Sequence, residues 1–387
     1  MNYKLALEKI KEANLYREIK PIEKIEDKYL YIHGKRYLDF SSSNYLGLRD
    51  DKRVVEAVKK SLDIYGLGSG ASRLVVGNSK VFDDLETKLA QLKNKEKSLV
   101  FNSGYDLNLG VISAIANENT YIFCDKLNHA SIYDGINLSK AKLIRYKHND
   151  IKNLKKKLNE YKDYENKLLI TDTVFSMDGD KAKLREIVEL KKEFGFQIMV
   201  DEAHAGGVLG TNGMGLTEEE NLFEEIDIIM GTFSKAYGGQ GAYVVGSSDL
   251  INYLTNTTRS LIYTTALPPC VIEGNLKALE ISVEESFRKE TLKENAEYLR
   301  NRLTEERFDT GESQTQIIPV IMKSNEEALE YHKRLLEKGI YLPAIRKPTV
   351  TKPRLRISLG YLLGKEDIDY LVEALVEIKS ELDNLRV

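Results

Sequence analysis

The sequence lacks several residue types and patterns that would define its class. Among 387 residues there is no tryptophan, and only Cys124 and Cys270 could form a disulfide or bind a soft metal. Each cysteine lies in an apolar stretch, which favours two buried free thiols. No run of about 18 apolar residues could cross a membrane, and the polar N-terminus has no secretory core. We therefore expect a cytoplasmic protein without membrane segments, disulfides or bound metal.

A strong charge of one sign is also missing. The 57 basic and 60 acidic residues give a formal net charge of −3, and they are interleaved along the chain. A nucleic-acid backbone is bound by a basic surface, so we expect no nucleic-acid partner. With 42% hydrophobic and 30% charged residues, the composition is that of a folded globular protein, and small-molecule chemistry is favoured.

Proline is absent between Pro21 and Pro268, so little interrupts regular structure in this long middle stretch. Seven strands are predicted there from short apolar runs that alternate with helical patterns, at Ser98–Phe101, Tyr121–Asp125, Lys142–Tyr146, Lys167–Asp172, Gln197–Glu202, Ile226–Thr232 and Gly241–Gly246. This alternation indicates the α/β class with a mostly parallel seven-stranded sheet, whose ligand site lies outside the carboxyl ends of the strands.

The chain should be divided into three parts. We predict an N-terminal substrate-contact arm over residues 1–45, a large domain over 46–268, and a smaller α+β domain over 269–387. Strands in the smaller domain are predicted at Ile317–Met322, Ile340–Ile345 and Leu355–Leu359.

Four predicted strands end in polar clusters that should meet at one edge of the sheet, at Asn102–Tyr105, Asp172–Asp180, Asp201–His204 and Gly231–Lys235. The first cluster joins a strand to a helix and suits a phosphate. Asp201 ends a buried strand, where a carboxylate needs a partner such as a cationic ring nitrogen. Lys235 follows another buried strand, where burial can make it a nucleophile and base. Each cluster alone has a structural explanation, but together they are the parts that hold pyridoxal phosphate.

Other chemistries fit these residues less well. Asp201–His204 spells the DEAH box of helicases, but the sequence has no G-x-x-x-x-G-K-[ST] phosphate loop. The glycines in residues 66–70 follow a helical segment and have the wrong spacing for a dinucleotide fingerprint. His129 and His204 could ligate zinc, but no spacing supports such a site. A non-catalytic binding protein is the last alternative.

Seven segments extend the pattern over almost the whole chain. They are SSNYLGL at 42–48, GSGASR at 68–73, NHAS at 128–131, VFSMDG at 174–179, DEAH at 201–204, TFSK at 232–235 and LIYTTALPP at 261–269. On these segments the sequence resembles the α-oxoamine synthases of the fold-type I pyridoxal-phosphate enzymes. The resemblance implies an aminotransferase-like fold, pyridoxal 5′-phosphate as cofactor, acyl transfer to an amino acid, and a homodimer.

The resemblance also implies a role for each matching residue. Lys235 corresponds to the Schiff-base lysine, Asp201 to the carboxylate that keeps the pyridine nitrogen protonated, and His129 to the imidazole that stacks on the ring and contacts the substrate. These three are the predicted catalytic residues. Further cofactor contacts are implied for Gly104, Tyr105, Ser176, His204, Thr232 and, toward the neighbouring subunit, Thr265.

The substrates follow from a resemblance within the family. The segment AIRKPTV at 344–350 is most similar to the branch that condenses L-alanine with a pimeloyl thioester in biotin biosynthesis. Arg346 would then bind the amino-acid carboxylate through a bidentate pair, and Thr349 and Arg17 would contact substrate. Pimeloyl-CoA and pimeloyl-acyl-carrier protein are both open as the carrier. Branches that use glycine with acetyl-CoA, or serine with a different acyl thioester, are the alternatives. Ser43 replaces the family's usual asparagine, which leaves substrate contacts at this position open.

Overall fold

The chain begins with a small antiparallel sheet that the sequence analysis did not predict. The computed structural model describes residues 2–12 and 15–384. The first elements are α1 (Tyr3–Glu12), β1 (Lys24–Glu26), β2 (Tyr29–Ile32) and β3 (Lys35–Asp39). His33 and Gly34 both have positive φ and form the two-residue turn between β2 and β3, which matches the twist of a hairpin. The predicted arm therefore contains regular structure.

A seven-stranded sheet forms the centre of the molecule. Its strands are β4 (Lys97–Phe101), β5 (Tyr121–Asp125), β6 (Lys142–Tyr146), β7 (Lys167–Asp172), β8 (Gln197–Asp201), β9 (Ile228–Thr232) and β10 (Ala242–Gly246). The strand order is β4-β10-β9-β8-β7-β5-β6, and only β10 runs antiparallel to its neighbours. The predicted α/β class and mostly parallel seven-stranded sheet are confirmed, with each strand within two residues of its predicted ends.

Helices cover both faces of this sheet. They are α2 (Lys52–Tyr65), α3 (Lys80–Leu92), α4 (Gly104–Ile115), α5 (Ala130–Ser139), α6 (Ile151–Glu160), α7 (Leu184–Phe194), α8 (Leu216–Glu219), α9 (Ser248–Thr257), α10 (Arg259–Ile262), α11 (Pro269–Glu284), α12 (Phe287–Glu305), α13 (Asn325–Glu337) and α14 (Lys365–Asn384). Along β5, Phe123 packs into one core, and Ile122 and Cys124 pack into the core on the opposite face. This alternation follows from the two-residue period of a strand.

The C-terminal strands correct one prediction. They are β11 (Ile317–Ile321), β12 (Ile340–Tyr341), β13 (Ala344–Ile345) and β14 (Arg354–Ser358). The predicted strand Ile340–Ile345 is wrong as a single element, because Pro343 has no N–H to donate and interrupts it. β12 pairs in parallel with β3, whereas β13 pairs with β14 in a different sheet. The apolar residues continue through the segment, but the pairing does not.

The absences expected from the sequence can be compared with the described residues. Both cysteines are buried free thiols. Among residues 2–12 and 15–384, no helix combines the length and apolar character needed to cross a bilayer. The same part of the chain contains no cluster of three or more histidine, cysteine or acidic side chains suited to a metal ion.

Candidate active site

The carboxyl ends of the parallel strands surround a cavity of about 240 Å³. Every residue predicted for the cofactor site, except Thr265, contributes to its lining: Gly104, Tyr105, His129, Ser176, Asp201, His204, Thr232 and Lys235. In parallel strands the carboxyl ends share one edge of the sheet, and the register of β7 and β8 places Asp172 beside Asp201. The sheet therefore collects residues that are distant in sequence.

Lys235 follows β9 in a tight turn. The N–H of Gly238 donates to the Lys235 carbonyl at 2.9 Å. Gly238 has φ +67°, and a Cβ there would lie 2.3 Å from the Arg49 nitrogen, so the turn requires glycine. Burial lowers the pKa of Lys235; Asp201 and Asp172 oppose this, and the charge of Arg356 adds to it. The amine is thus more readily deprotonated than an ordinary lysine, as a nucleophile requires.

Asp201 is held at the cavity by hydrogen bonds to both carboxylate oxygens. Oδ1 accepts from the Ala203 N–H and Oδ2 from Asn108 Nδ2, each at 2.9 Å. Asn108 Nδ2 also donates to Ser131 Oγ at 2.9 Å, and Ser131 Oγ lies 2.7 Å from His129 Nδ1. Because the amide nitrogen can only donate, this chain of contacts leaves the Ser131 hydroxyl free to donate to the imidazole.

His129 is therefore held as a neutral ring. Its Nδ1 also accepts from the Ser131 N–H at 3.3 Å, which caps α5, so the ring proton belongs on Nε2. Burial lowers the pKa of His129; Asp201 opposes this, and Lys235 reinforces it. The His129 N–H donates to Asp172 Oδ2 at 2.9 Å. Burial and the charge of Asp201 raise the pKa of Asp172 well above its usual range.

The first turn of α4 forms another part of the lining. Ser103 caps this helix by accepting from the Asp106 N–H at 3.1 Å, and Gly104 and Tyr105 begin it. A helix N-terminus attracts anions through its free N–H groups and its dipole. One cavity thus offers an anion site, a carboxylate for a cationic nitrogen and an amine for a carbonyl. These match the phosphate, the pyridine nitrogen and the aldehyde of pyridoxal phosphate.

His204 and Ser176 connect the cavity to the rest of the fold. His204 Nδ1 lies 2.7 Å from the hydroxyl of buried Tyr45, and Gln316 Nε2 donates to the His204 carbonyl at 2.9 Å. Burial lowers the pKa of His204 well below its usual range, with a contribution from Lys235. Arg356 Nε donates to the Ser176 carbonyl at 2.6 Å, so β14 supports the loop that carries Ser176.

The remaining predicted residues do not line the cavity. Arg17 and Thr349, although 332 positions apart, are joined by a 3.1 Å hydrogen bond from Arg17 Nη2 to Thr349 Oγ1. The Thr349 N–H donates to the Arg346 carbonyl at 3.0 Å, so the structure brings all three predicted substrate residues together. Thr265 is exposed, and its carbonyl accepts from Asn102 Nδ2 at 2.9 Å.

Sequence reasoning assigned no role to four residues at this site, which are Asn108, Ser131, Asp172 and Arg356. One signal was available for Asn108, because it is a polar residue on the buried face of α4 between Leu107 and Val111, where an amide needs partners. Ser131 and Arg356 gave no such signal, since their contacts depend on how α5 and β14 pack against other elements.

A fully buried ion pair lies directly behind the site. Lys93 and Glu202 have no exposed side-chain surface, and Lys93 Nζ is 2.5 Å from Glu202 Oε2. The other carboxylate oxygen of Glu202 accepts from the N–H and hydroxyl of Thr217 at 2.9 and 2.7 Å. The pair therefore fixes the residue that follows Asp201 in the chain.

His148 bridges two carboxylates near the Ser176 loop. Its Nδ1 lies 3.0 Å from Asp125 Oδ1, and its Nε2 lies 2.9 Å from Asp180 Oδ2. Burial alone lowers the pKa of His148, but the hydrogen bonds and charges of Asp125 and Asp180 outweigh it and raise the pKa to about 9. The ring is therefore a cation at neutral pH and ties the end of β5 to the loop.

This bridge predicts a stability change in alkaline solution. Because the folded-state pKa of His148 is raised from 6.5 to about 9, its contribution is complete below pH 6.5 and is lost as the pH rises through 9. We expect a loss of about 1 to 2 kcal/mol, which allows for solvent screening of the partly exposed ring. Urea unfolding at several pH values should show this loss in the unmodified protein. An equal alkaline loss in His148→Gln would contradict the assignment.

The chain is similar to characterised families along nearly its whole length. The family model for aminotransferase class I and II matches residues 35–375. A protein of Bacillus cereus (strain B4264) named "Putative 8-amino-7-oxononanoate synthase" is 46% identical over 97% of this chain and 96% of its own length. A relative with the same name from Bacillus mycoides (strain KBAB4) is also 46% identical, with the same coverage.

Solved structures show the same similarity. A serine palmitoyltransferase from S. paucimobilis, with a bound pyridoxal phosphate–myriocin aldimine, has a TM-score of 0.93 and 29% identity, covering 99% of this chain and 98% of its own. An 8-amino-7-oxononanoate synthase from Francisella tularensis has a TM-score of 0.80 and 29% identity, covering 91% of this chain and 99% of its own.

The fold, the cavity and these relatives define a fold-type I pyridoxal-phosphate enzyme. The chain belongs to the class I and II aminotransferase family and, within it, to the α-oxoamine synthases, which are acyltransferases.

Proposed function

We propose that this enzyme condenses L-alanine with a pimeloyl thioester. The products are 8-amino-7-oxononanoate, carbon dioxide and the free thiol of the acyl carrier. The observation that carries the choice of substrates is the 46% identity, over 97% of the chain, to relatives bearing the name of this synthase. The segment at 344–350 supports the same choice. Glycine with acetyl-CoA, and serine with another acyl thioester, are the competing substrate pairs, and the serine palmitoyltransferase likeness favours the latter.

Each catalytic role follows from the geometry of the cavity. Bound pyridoxal phosphate would supply an electron sink for the carbanion that forms at the α-carbon of the amino acid. Lys235, whose burial favours the neutral amine, would hold the cofactor and then take the α-proton as general base. Asp201, fixed by Asn108 and Ala203, would keep the ring nitrogen protonated. His129 would donate its Nε2 proton toward the thioester oxygen as negative charge develops there.

Two arginines are candidates for the amino-acid carboxylate. Arg346 was predicted for this role and would act together with Thr349 and Arg17. Arg356 is buried, and its charge lowers the pKa of both Lys235 and His204. Because the carboxylate is bonded to the α-carbon that Lys235 would deprotonate, we propose Arg356 as the nearer of the two groups and Arg346 as a contact farther from Lys235.

We also propose a cytoplasmic homodimer in which Thr265 faces the phosphate of the neighbouring subunit. The exposed side of Thr265 and a cluster of exposed apolar residues support this arrangement. Leu67, Val75 and Val76 are 80%, 73% and 77% exposed, and Arg73–Gly77 forms a single turn of π-helix ahead of α3. Apolar side chains grouped in this way commonly mark a protein interface.

The test of the proposed function is a substrate comparison. Holoenzyme is mixed with L-alanine, glycine or L-serine and, in each case, with pimeloyl-CoA or acetyl-CoA, and free thiol and carbon dioxide are measured. We expect L-alanine with pimeloyl-CoA to give the highest kcat/KM. Faster turnover with glycine or serine would keep the family and overturn these substrates. Turnover with pimeloyl-acyl-carrier protein alone would identify the carrier.

The hydrogen bonds of Asn108 lead to a separate prediction. Asn108→Ala removes a donor to the Asp201 carboxylate and a donor to Ser131, so we expect kcat to fall about 10- to 100-fold, as for loss of a charge-assisted hydrogen bond. The KM for the thioester should change little, because Asn108 lies behind Asp201. Ser113→Ala on the same helix is the control, since its hydroxyl donates only to carbonyls of its own helix. Equal kcat values in the two variants would contradict the prediction.

A further inference from the structure

The helix α12 presents positive charge to the inside of the protein. Lys289, Lys293, Ala296 and Arg300 recur every three or four residues and so lie on one face of the helix. All four line a cleft of about 470 Å³ that is separate from the cofactor cavity. A helix face that packs against the protein is normally apolar, so the basic residues on this face call for an explanation other than packing.

Lys289 is the centre of this anomaly. The residue is buried, at 8% exposure, and its Nζ has no hydrogen-bond partner within the described part of the chain. Burying an ammonium without a partner costs free energy. Lys289 also lies in the first turn of α12, where the helix dipole disfavours a cation. Neither burial nor position gives this lysine a role in stabilising the fold.

The surroundings of Lys289 do not neutralise it. The cleft is lined by two acidic residues, Glu219 and Glu290. Glu219 lies 2.5 Å from Lys181 and is committed to that ion pair, and Glu290 is exposed. Arg300 donates to the Thr315 carbonyl at 2.6 Å, and burial lowers its pKa. The interior of the cleft therefore carries more positive charge than its acidic residues can balance.

The remaining lining is partly apolar and partly amide. Leu209 and Leu292 provide apolar surface, and Gln316 contributes a buried Oε1 that has no partner among the described residues. The Nε2 of the same side chain donates to the His204 carbonyl at 2.9 Å. A ligand in the cleft would thus lie one side chain away from the residue that contacts the cofactor cavity.

From these observations we propose that the cleft is a binding site for a small organic anion, a carboxylate attached to a short apolar chain. Lys289 holds the carboxylate, with support from Lys293, and the chain packs against Leu209 and Leu292. A bound carboxylate would satisfy the ammonium through a charge-assisted hydrogen bond. The site is independent of the substrates proposed above.

The test uses holoenzyme saturated with pyridoxal phosphate and measures the binding of sodium hexanoate, 1-hexanol and inorganic phosphate by calorimetry. We expect hexanoate to bind at least tenfold more tightly than the other two. Lys289→Met should weaken hexanoate at least tenfold and leave hexanol unchanged. Lys333→Met, which removes an exposed lysine on α13, is the matched control and should bind hexanoate as the unmodified protein does.

Several results would overturn the proposal. These are equal affinity of the unmodified protein and Lys289→Met for hexanoate, binding of hexanol or phosphate as tight as that of hexanoate, or no binding of hexanoate. Lys289→Met should also melt at the same or a higher temperature, because it replaces an unpaired ammonium with an apolar group. A lower melting temperature would show that the ammonium already has a stabilising partner. If that variant does not fold, Lys293→Gln, at an exposed position, should weaken hexanoate several-fold, and unchanged affinity would count against the site.

Discussion

Replacing Lys235 with alanine is expected to lower turnover on the order of 10⁴-fold, which is the upper end for loss of a general acid–base group. The effect should be this large because we assign the amine two tasks, holding the cofactor as an imine and removing the α-proton. The visible absorption of that imine should disappear from the purified variant. Turnover is measured by release of free thiol, and the imine by absorption after dialysis against pyridoxal phosphate.

A second lysine provides the control for this experiment. Burial also lowers the pKa of Lys95, whose Nζ donates to the Ile226 carbonyl at 2.7 Å, but Lys95 does not line the cofactor cavity. Lys95→Ala should keep the imine absorption and most of the activity per folded molecule. An imine band that persists in Lys235→Ala, or turnover above about one hundredth of normal, would rule out the assigned role.

Replacing Lys93 with methionine should destabilise the fold by about 3 to 5 kcal/mol, the usual cost of removing one partner from a buried ion pair. The cause is the Glu202 carboxylate, which would stay fully buried with only the two hydrogen bonds from Thr217. Little room is left for water to replace the ammonium, because even a Cβ at Gly215 would lie 2.4 Å from that carboxylate. The free energy of unfolding from urea denaturation measures the effect.

Removing both charges separates the pair from its desolvation. The double variant Lys93→Met, Glu202→Gln should recover most of the lost stability, since it leaves no unpaired buried charge. Lys155→Met is the matched control, because Lys155 pairs with Glu193 at 2.8 Å with about half of each side chain exposed. No measurable loss is expected there. A double variant as unstable as Lys93→Met would show that the attraction between the charges, rather than the unpaired carboxylate, dominates.

The central sheet could be predicted from sequence because its strands are buried on both faces. Runs such as Tyr121–Asp125 and Lys167–Asp172 are buried at every position, and parallel strands of this kind read as continuous apolar segments. By contrast, β1 is exposed at all three residues and leaves no such pattern. The division at Pro343 was missed because β12 and β13 form one apolar run and differ only in their pairing partners.

The active site divides in the same way. Asp201, Lys235 and the turn at Gly104 could be located because each follows a recognisable strand, and strand ends converge by topology. The link from Asp201 through Asn108 and Ser131 could not, because it depends on the contact between α4 and α5 and on the hydrogen-bonding capacity of two side chains. Local sequence patterns contain neither kind of information.

The pairing of β3 with β12 also constrains the order in which the chain can fold during synthesis. The N–H groups of Leu38 and Phe40 donate to the carbonyls of Gly339 and Tyr341 at 2.8 and 3.1 Å. These partners leave the ribosome about 300 residues later, and with synthesis at about 5 to 20 residues per second the delay is tens of seconds. Until then the nascent chain carries an open strand edge, which is a template for aggregation. The first sheet in the sequence is therefore among the last to be completed.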